Sequence, residues 1–322
     1  MKAVRIHSHG GLDVLKYDSL DQPECKSDSV KIQIKATALN HLDIWVRNGI
    51  PGINIPLPLI MGSDGAGQIV EIGNNVSDFK IGDNVVIQPG TFPEQCKAVL
   101  NHKENYSNNY GILGETENGV QSEFVVLKPK NIHLMSNHLS FEEAASMQLV
   151  FMTSYQMLVK RARLKENEFV LIYGATSGVG SAAIQIAKDI NAKVITTVGS
   201  KDKFNYAYDM GADYVLDHSK PYTSIIKEIT NNKGIDVVFE HIGPVTWDNS
   251  LRVLNKGGRL VTCGSTTGSK VSMLPADAVE LDAPIALVGA ASPNSDGIEY
   301  PPEPVAASPA AFSWFSSKVA TT

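Results

Sequence analysis

The stretch of sequence with the clearest chemistry is a glycine-rich segment at residues 174–180. It follows an apolar run at 169–173 and precedes a run of helical character at 178–190. Glycines in such a turn let the backbone approach a pyrophosphate, and the free N–H groups of the following helix attract its charge. A plain strand-to-helix turn without a ligand is the alternative interpretation. We predict that this segment binds a dinucleotide through Gly174, Ala175, Thr176, Ser177, Gly178, Val179 and Gly180.

The end of the next predicted strand, at 193–198, bears on the choice of dinucleotide. In proteins that bind NAD, an acidic residue there usually holds the ribose 2′-hydroxyl. Here Ser200 and Lys203 follow the strand, and His218 follows the strand after it. A small neutral side chain and cations leave room and charge for a 2′-phosphate. Asp202 argues the other way, so the sequence predicts NADPH, with NADH the less favoured cofactor.

The elements that must position this loop alternate along the chain. Strands are predicted at 169–173, 193–198, 214–216, 235–239 and 258–262, and helices at 178–190, 201–210, 222–230 and 247–254. Such alternation builds a doubly wound parallel sheet of the Rossmann type, with helices on both faces. Loops after its strands line the ligand, which adds Ile242, Gly243, Gly264 and Ser265 to the predicted cofactor site.

The first 130 residues have a different pattern. Short runs at 30–36, 67–73 and 79–86 are typical of strands separated by glycine turns. These 130 residues are therefore predicted to form a small β-barrel or sandwich. Together with the parallel sheet that follows, they make the predicted fold class of the whole chain α/β. Ser140 and Glu143 have the spacing of a helix capping box, and a helix is expected from there to residue 160.

Composition excludes several classes of function. The 322 residues suffice for two domains, and a net charge of −6 without a basic stripe argues against nucleic acid. The sequence predicts no membrane span and no signal peptide. Cys25, Cys96 and Cys263 are too few and too scattered for a disulfide framework, which favours a cytoplasmic protein.

Five stretches of the sequence resemble the medium-chain dehydrogenase/reductase superfamily, which includes zinc alcohol dehydrogenases and quinone oxidoreductases. They are the glycine loop and residues 40–49, 58–67, 110–115 and 239–243. The resemblance extends over residues 1 to about 270. It implies a GroES-like β-rich substrate domain at 1–130 and a Rossmann NADP-binding domain at 131–270, with the active site in the cleft between them.

The resemblance is informative where the chain departs from the zinc enzymes. Those relatives hold the catalytic metal with a Cys, a His-Glu pair and a later Cys or Asp. The matching positions here are Asn40, Ser63 with Asp64, and Leu149, and the position of the proton-relaying hydroxyl is Leu42. A catalytic zinc needs about three ligating side chains. The sequence therefore predicts no catalytic zinc.

The lobe that carries a structural zinc in relatives corresponds to residues 89–110. It retains Cys96, and His102 lies in the same loop. These two residues supply too few thiol or imidazole ligands for a metal, so no structural zinc is predicted either.

Relatives without zinc form the quinone oxidoreductase and enone reductase branch. The resemblance implies hydride transfer from NADPH to a small quinone, conjugated enone or carbonyl compound. It places Asn40 beside the nicotinamide and Thr153 near it. Asp43 and His41 are candidate proton donors through water, with solvent as the alternative. Each residue also has a purely structural interpretation. Asn40 would be a turn residue and Thr153 would pack inside a helix. Asp43 and His41 would make structural hydrogen bonds.

Residues 271–322 are atypical of the family. They are rich in proline and alanine, and we expect an irregular, disordered or truncated tail with a remnant of a sixth strand within 282–289. The resemblance implies a homodimer formed through that strand, and the atypical tail argues against it. Two rival functions remain open: a zinc-containing alcohol dehydrogenase, and a reductase-like protein that binds NADPH without catalysis.

Overall fold

A computed structural model of the chain describes residues 1–93, 95, 97–100, 104–268 and 285–287. They divide into two compact units, one within Met1–Leu149 and the other within Val150–Gly289. No helix among the described residues has the length and apolarity to cross a membrane.

The N-terminal unit is dominated by short strands, as predicted. Its strands are β1 Lys2–Ile6, β2 Leu15–Ser19, β3 Val30–Ala38, β4 Leu59–Ile60, β5 Asp64–Ile72, β6 Asn84–Ile87, β7 Gly90–Thr91, β8 Gly111–Ile112, β9 Phe124–Leu127 and β10 Ile132–Leu134. Its helices are α1 His41–Asn48, the short α2 Lys97–Leu100, α3 Phe141–Ala145 and the first residues of α4 Gln148–Tyr155.

The main sheet of this unit has the strand order β10-β6-β5-β3-β9, and every neighbouring pair is antiparallel. Alternate residues of β3 point into the core, so Val30 and Ile32 are completely buried and pack with Ile69, Val85 and Ile87. The period-two pattern of the sequence arises from this one-sided burial. Two smaller sheets, β2-β1-β4 and β7-β8, complete the unit.

The second unit contains a parallel sheet with the order β13-β12-β11-β14-β15-β16. Its strands are β11 Phe169–Ile172, β12 Lys193–Val198, β13 Tyr214–Asp217, β14 Ile235–Glu240, β15 Leu254–Thr262 and β16 Ile285–Leu287. Its helices are α5 Gly178–Asp189, α6 Phe204–Asp209, α7 Thr223–Ile229 and α8 Pro244–Val253. This order is that of a doubly wound dinucleotide-binding sheet, and the order reverses between β11 and β14. The predicted fold class is confirmed.

Three predicted helices differ from those observed. The helix expected at 140–160 is divided, because the Ser146 hydroxyl donates to the Glu143 carbonyl at 2.8 Å and ends α3 at that point. A π-helical turn, Gln156–Arg161, then follows α4. The helix expected at 201–210 begins as a 3₁₀ turn, and that expected at 247–254 begins earlier, at Pro244, where proline suits the first helical position.

The C-terminal prediction is confirmed in one respect. A sixth strand lies within 282–289, as β16, and Ile285 pairs with Leu260 of β15. The rest of the predicted tail lies outside the described residues, as do Cys96 and His102.

Candidate cofactor and active site

The glycine loop forms a tight turn between β11 and α5. Gly174 has a φ of 65°, a conformation that disfavours other residues. Ser177 caps α5, since its hydroxyl accepts the Gly180 amide at 3.0 Å. A Cβ on Gly180 would lie 2.1 Å from the Gly174 carbonyl oxygen, so only glycine allows this crossing. The turn therefore brings the N-terminus of a 12-residue helix, one of whose first-turn amides donates to Ser177, to the carboxyl edge of the sheet.

Neighbouring elements hold the loop in place. The Gly174 amide donates to the Thr197 hydroxyl at 3.2 Å, and the Ala175 amide donates to the Thr197 carbonyl at 2.9 Å. On the α4 side, the Ser154 hydroxyl donates to the Val179 carbonyl at 2.9 Å. Thr153 is half-buried on that same helix, so it lies one residue from the contact with the glycine loop.

The residues predicted for the ribose lie at the ends of β12 and β13. Ser200 precedes the exposed 3₁₀ turn Lys201–Lys203, and its hydroxyl lowers the pKa of Asp202 by a hydrogen bond. His218 Nδ1 lies 3.3 Å from the Thr197 hydroxyl, and a Cβ on Gly199 would lie 3.0 Å from His218 Nε2. His218 is therefore held against the end of β12 that Ser200 follows, and Thr197 connects it to the glycine loop.

The four loop residues predicted after β14 and β15 come together. Gly243 has a φ of 94°, and a Cβ there would lie 2.0 Å from Ser265 Oγ. The Thr267 amide donates to the Ile242 carbonyl at 2.9 Å. Gly264 is in the same loop as Ser265, where its carbonyl accepts the Thr262 hydroxyl at 3.0 Å. Ile242 and Gly243 thus pack directly on the loop of Gly264 and Ser265.

In the N-terminal unit, Asn40 is joined to two buried carboxylates. Asn40 precedes α1, and its amide N–H donates to Asp43 Oδ2 at 2.7 Å. Its side-chain Nδ2 donates to Asp64 Oδ2 at 3.0 Å. The Leu149 amide donates to the other oxygen, Asp64 Oδ1, at 2.9 Å. Asp64 therefore lies at the centre of a hydrogen-bonded cluster with Asn40 and Leu149, three of the positions at which the sequence predicted that metal ligands are lost.

The electrostatics of this cluster follow from burial. Asp64 is 1% exposed, and this burial raises its pKa to about 7. The hydrogen bonds from Asn40 and Leu149 oppose the shift, whereas the nearby charge of Asp43 adds to it. Burial likewise raises the pKa of Asp43, while the backbone amides of Asn40 and Gly62 oppose it. The sequence motif Ser63–Asp64 marked the position of Asp64, but its link to Asn40 and Leu149 could not be read from spacing.

The remaining positions of this region carry other contacts. The buried Ser63 hydroxyl donates to the Leu113 carbonyl at 2.8 Å. His41 is exposed, and its ring lies 5.0 Å from that of Trp45, one turn along α1. Within the part of the chain that the structure describes, no group of three or more His, Cys, Asp or Glu residues could hold a metal.

Comparison with known proteins gives the relationships of both units. Residues 26–137 match the family model of the alcohol dehydrogenase GroES-like domain, and residues 178–294 match that of the zinc-binding dehydrogenases. The quinone oxidoreductase of Sus scrofa is 31% identical over 267 residues, 82% of this chain and 73% of that protein. An NAD-dependent alcohol dehydrogenase of Sulfolobus acidocaldarius is 32% identical over 86% of this chain and 80% of its own length.

Solved structures show the same two kinds of relative. The crystal structure of an NAD-dependent alcohol dehydrogenase superposes with a TM-score of 0.85 at 38% identity, covering 91% of this chain and 85% of that chain. That of the Escherichia coli quinone oxidoreductase complexed with NADPH superposes with a TM-score of 0.74 at 26% identity, covering 91% and 81%. The chain therefore belongs to the medium-chain dehydrogenase/reductase superfamily of oxidoreductases, with a GroES-like domain and a Rossmann-type domain.

Proposed function

We propose that this oxidoreductase transfers a hydride from NADPH to a conjugated quinone, enone or related carbonyl compound without zinc. The observation that carries the proposal is the hydrogen-bonded cluster around Asp64. Its residues are those that the sequence resemblance matches to the metal ligands of zinc-dependent relatives.

The donor set of this cluster does not fit a catalytic zinc. Zinc needs about three nitrogen, sulfur or carboxylate ligands and an open position. Asn40 turns its Nδ2 donor towards Asp64, Ser63 donates to a carbonyl, and Leu149 contributes a backbone N–H. Asp64 already accepts a hydrogen bond on each oxygen, and Asp43 accepts the Asn40 amide. Without a Lewis acid, a substrate must itself delocalise the incoming charge, which favours quinones and enones.

The proposed cofactor is NADPH, held by the residues of the Rossmann unit. The close crossing at Gly180 and the capped N-terminus of α5 fit a pyrophosphate. Ser200, Lys203 and His218 supply neutral and cationic groups for a 2′-phosphate. When bound, the nicotinamide supplies the hydride. NADH is the second candidate, favoured by Asp202 and by the likeness to NAD-dependent alcohol dehydrogenases.

The chain's own contribution to catalysis is positioning. Nδ2 of Asn40 is directed at Asp64, and the Asn40 side chain also accepts from the Asp43 backbone at the start of α1, so the second Nδ2 proton is the group that we propose for a ligand. Asp43 is 8% exposed and accepts the Asn40 amide, which supports a structural role as the third residue of the capping box at the start of α1. We therefore favour solvent as the proton source after hydride transfer, with the exposed His41 as the alternative. Thr153 is proposed to pack beside the nicotinamide.

Two experiments test the proposal. Separate titrations of NADPH and NADH into metal-free protein, followed by addition of a simple quinone, should show tight NADPH binding and quinone-dependent oxidation. Binding without oxidation by any quinone or enone would favour a non-catalytic reductase-like protein. Metal analysis of purified protein that returned about one zinc per chain would favour the alcohol dehydrogenase, the second candidate that the comparisons support.

Assembly and location belong to the same proposal. A homodimer through the edge of β16 is one arrangement, and sedimentation of purified protein distinguishes it from a monomer. The sparse cysteines favour the cytoplasm.

A further inference from the structure

Glu240, the last residue of β14, is a buried carboxylate whose partners are all in the adjoining loop and helix. It is 0% exposed. Its Oε1 accepts three consecutive backbone amides, those of His241 at 3.0 Å, Ile242 at 2.7 Å and Gly243 at 3.1 Å. An amide N–H can only donate, so three such bonds on one oxygen fix the curvature of the loop.

Hydroxyl groups complete the shell around Glu240. The Thr246 hydroxyl lies 3.0 Å from Oε1 and 2.9 Å from Oε2, and the Ser250 hydroxyl lies 2.7 Å from Oε2. Ser250 is also 3.1 Å from the Tyr173 hydroxyl, which is 3.1 Å from that of Tyr222. Each hydroxyl has one proton to donate. When Ser250 donates its proton to Oε2, Tyr173 donates to the Ser250 hydroxyl and Tyr222 donates to the Tyr173 hydroxyl.

The loop shaped by Glu240 contacts the two neighbouring cofactor loops. His241 Nε2 lies 2.9 Å from the carbonyl of Tyr173, which precedes the glycine loop, and 3.5 Å from the hydroxyl of Ser177 within that loop. On its other side, the Ile242 carbonyl accepts the Thr267 amide. A change in the path of residues 241–243 would therefore displace both neighbours.

The topology indicates which half of the cofactor depends on this loop. In a doubly wound sheet the dinucleotide crosses the point where the strand order reverses, with its adenosine ribose at the end of the second strand. Here that strand is β12, and the reversal lies between β11 and β14. The half that extends past the reversal, away from β12, is the nicotinamide half.

We propose that Glu240 is a positioning residue for the nicotinamide half of the cofactor, which it serves by holding the loop of His241, Ile242 and Gly243 in shape. This proposal rests on the proposed function, because it requires a nicotinamide dinucleotide at this edge. It assigns no direct contact between Glu240 and the cofactor, since the carboxylate is enclosed by its own partners.

The test compares the whole cofactor with its adenosine half. Calorimetry on the full chain would give dissociation constants for NADPH, NADH and 2′,5′-ADP. In Glu240→Gln, a neutral amide replaces the carboxylate that the three N–H groups share. We expect the constants for NADPH and NADH to rise by a similar factor of about ten or more, with that for 2′,5′-ADP changed less than about threefold. Glu228→Gln, the same change on the exposed face of α7, should alter none of them.

A milder pair of variants guards against loss of folding. Thr246→Val removes the hydroxyl that bridges both oxygens of Glu240 and keeps the side-chain shape, whereas Thr246→Ser keeps the hydroxyl. We expect that only Thr246→Val raises the dissociation constant for NADPH, by about threefold, without a matching rise for 2′,5′-ADP.

Equal weakening of NADPH and 2′,5′-ADP in these variants, or no weakening of either, would overturn the positioning role. Failure of the wild-type chain to bind NADPH or NADH would overturn the proposed function, and this inference with it.

Discussion

At the scale of single residues, Asp64 is the least expected feature of the site. Asn40 is 24 positions away in sequence and Leu149 is 85 positions away. No local pattern predicts contacts over such separations, so the sequence identified the position of Asp64 and not its partners. Asn40 and Asp43, by contrast, are three residues apart, and their contact follows from the start of α1.

The raised pKa of Asp64 predicts a pH-dependent stability. Its pKa rises from 3.8 unfolded to about 7 folded, so the folded chain binds the extra proton between these values. The free energy of unfolding should therefore fall as pH rises through this window, by an upper limit on the order of 4 kcal/mol, and level off above it.

Urea unfolding at about pH 5 and about pH 8 measures that slope. Asp64→Asn should flatten it, because the amide does not titrate. Asp28→Asn removes an exposed carboxylate paired with Lys128 and should preserve it. A slope that persists in Asp64→Asn would show that other groups carry the pH dependence.

Ser200 offers a second prediction at this scale. In Ser200→Asp a carboxylate is placed at the end of β12, where it would repel a 2′-phosphate and accept a ribose hydroxyl. We expect the dissociation constant for NADPH to rise by about tenfold or more, while that for NADH falls or stays unchanged. Ser77→Asp, in an exposed loop of the other unit, is the control. Parallel changes for the two cofactors would contradict the assigned ribose site.

At the scale of elements, the predicted bounds agree with the structure where burial alone determines the sequence pattern. The strand β12 has the predicted bounds, because both of its faces are covered and its residues are almost uniformly apolar or small. The prediction of one helix at 140–160 is wrong, because the division of this segment depends on a hydrogen bond from the Ser146 side chain to the Glu143 carbonyl. Hydrophobic periodicity does not report such a local competition.

The turn into α5 gives the sharpest prediction for an element. In Gly180→Ala, the added Cβ would meet the backbone carbonyl of Gly174 at 2.1 Å, and neither backbone can yield without reshaping the turn. We expect binding of NADPH and 2′,5′-ADP to weaken together by about tenfold or more. Gln185→Ala changes an exposed residue of the same helix and should leave both unaffected. Normal binding by Gly180→Ala would mean that the pyrophosphate lies elsewhere.

At the scale of the whole molecule, the sequence predicted a β-rich unit followed by a parallel sheet, and both are present. Repeated alternation of strands and helices determines the parallel sheet, whereas the strand order follows only from the fold that the resemblance implied. The sixth strand was predicted from residues 282–289 and is present as β16. What the sequence did not reveal is that Asp64 contacts Asn40 and Leu149, which are distant from it in sequence.

The central claim is that the reaction proceeds without zinc, and one measurement addresses it directly. NADPH oxidation by a simple quinone should be followed on protein dialysed against a chelator, with its zinc content determined on the same sample. We expect full activity with far less than one zinc per chain, and no stimulation when zinc is restored. Activity that disappears with the metal and returns with about one zinc per chain would contradict the account.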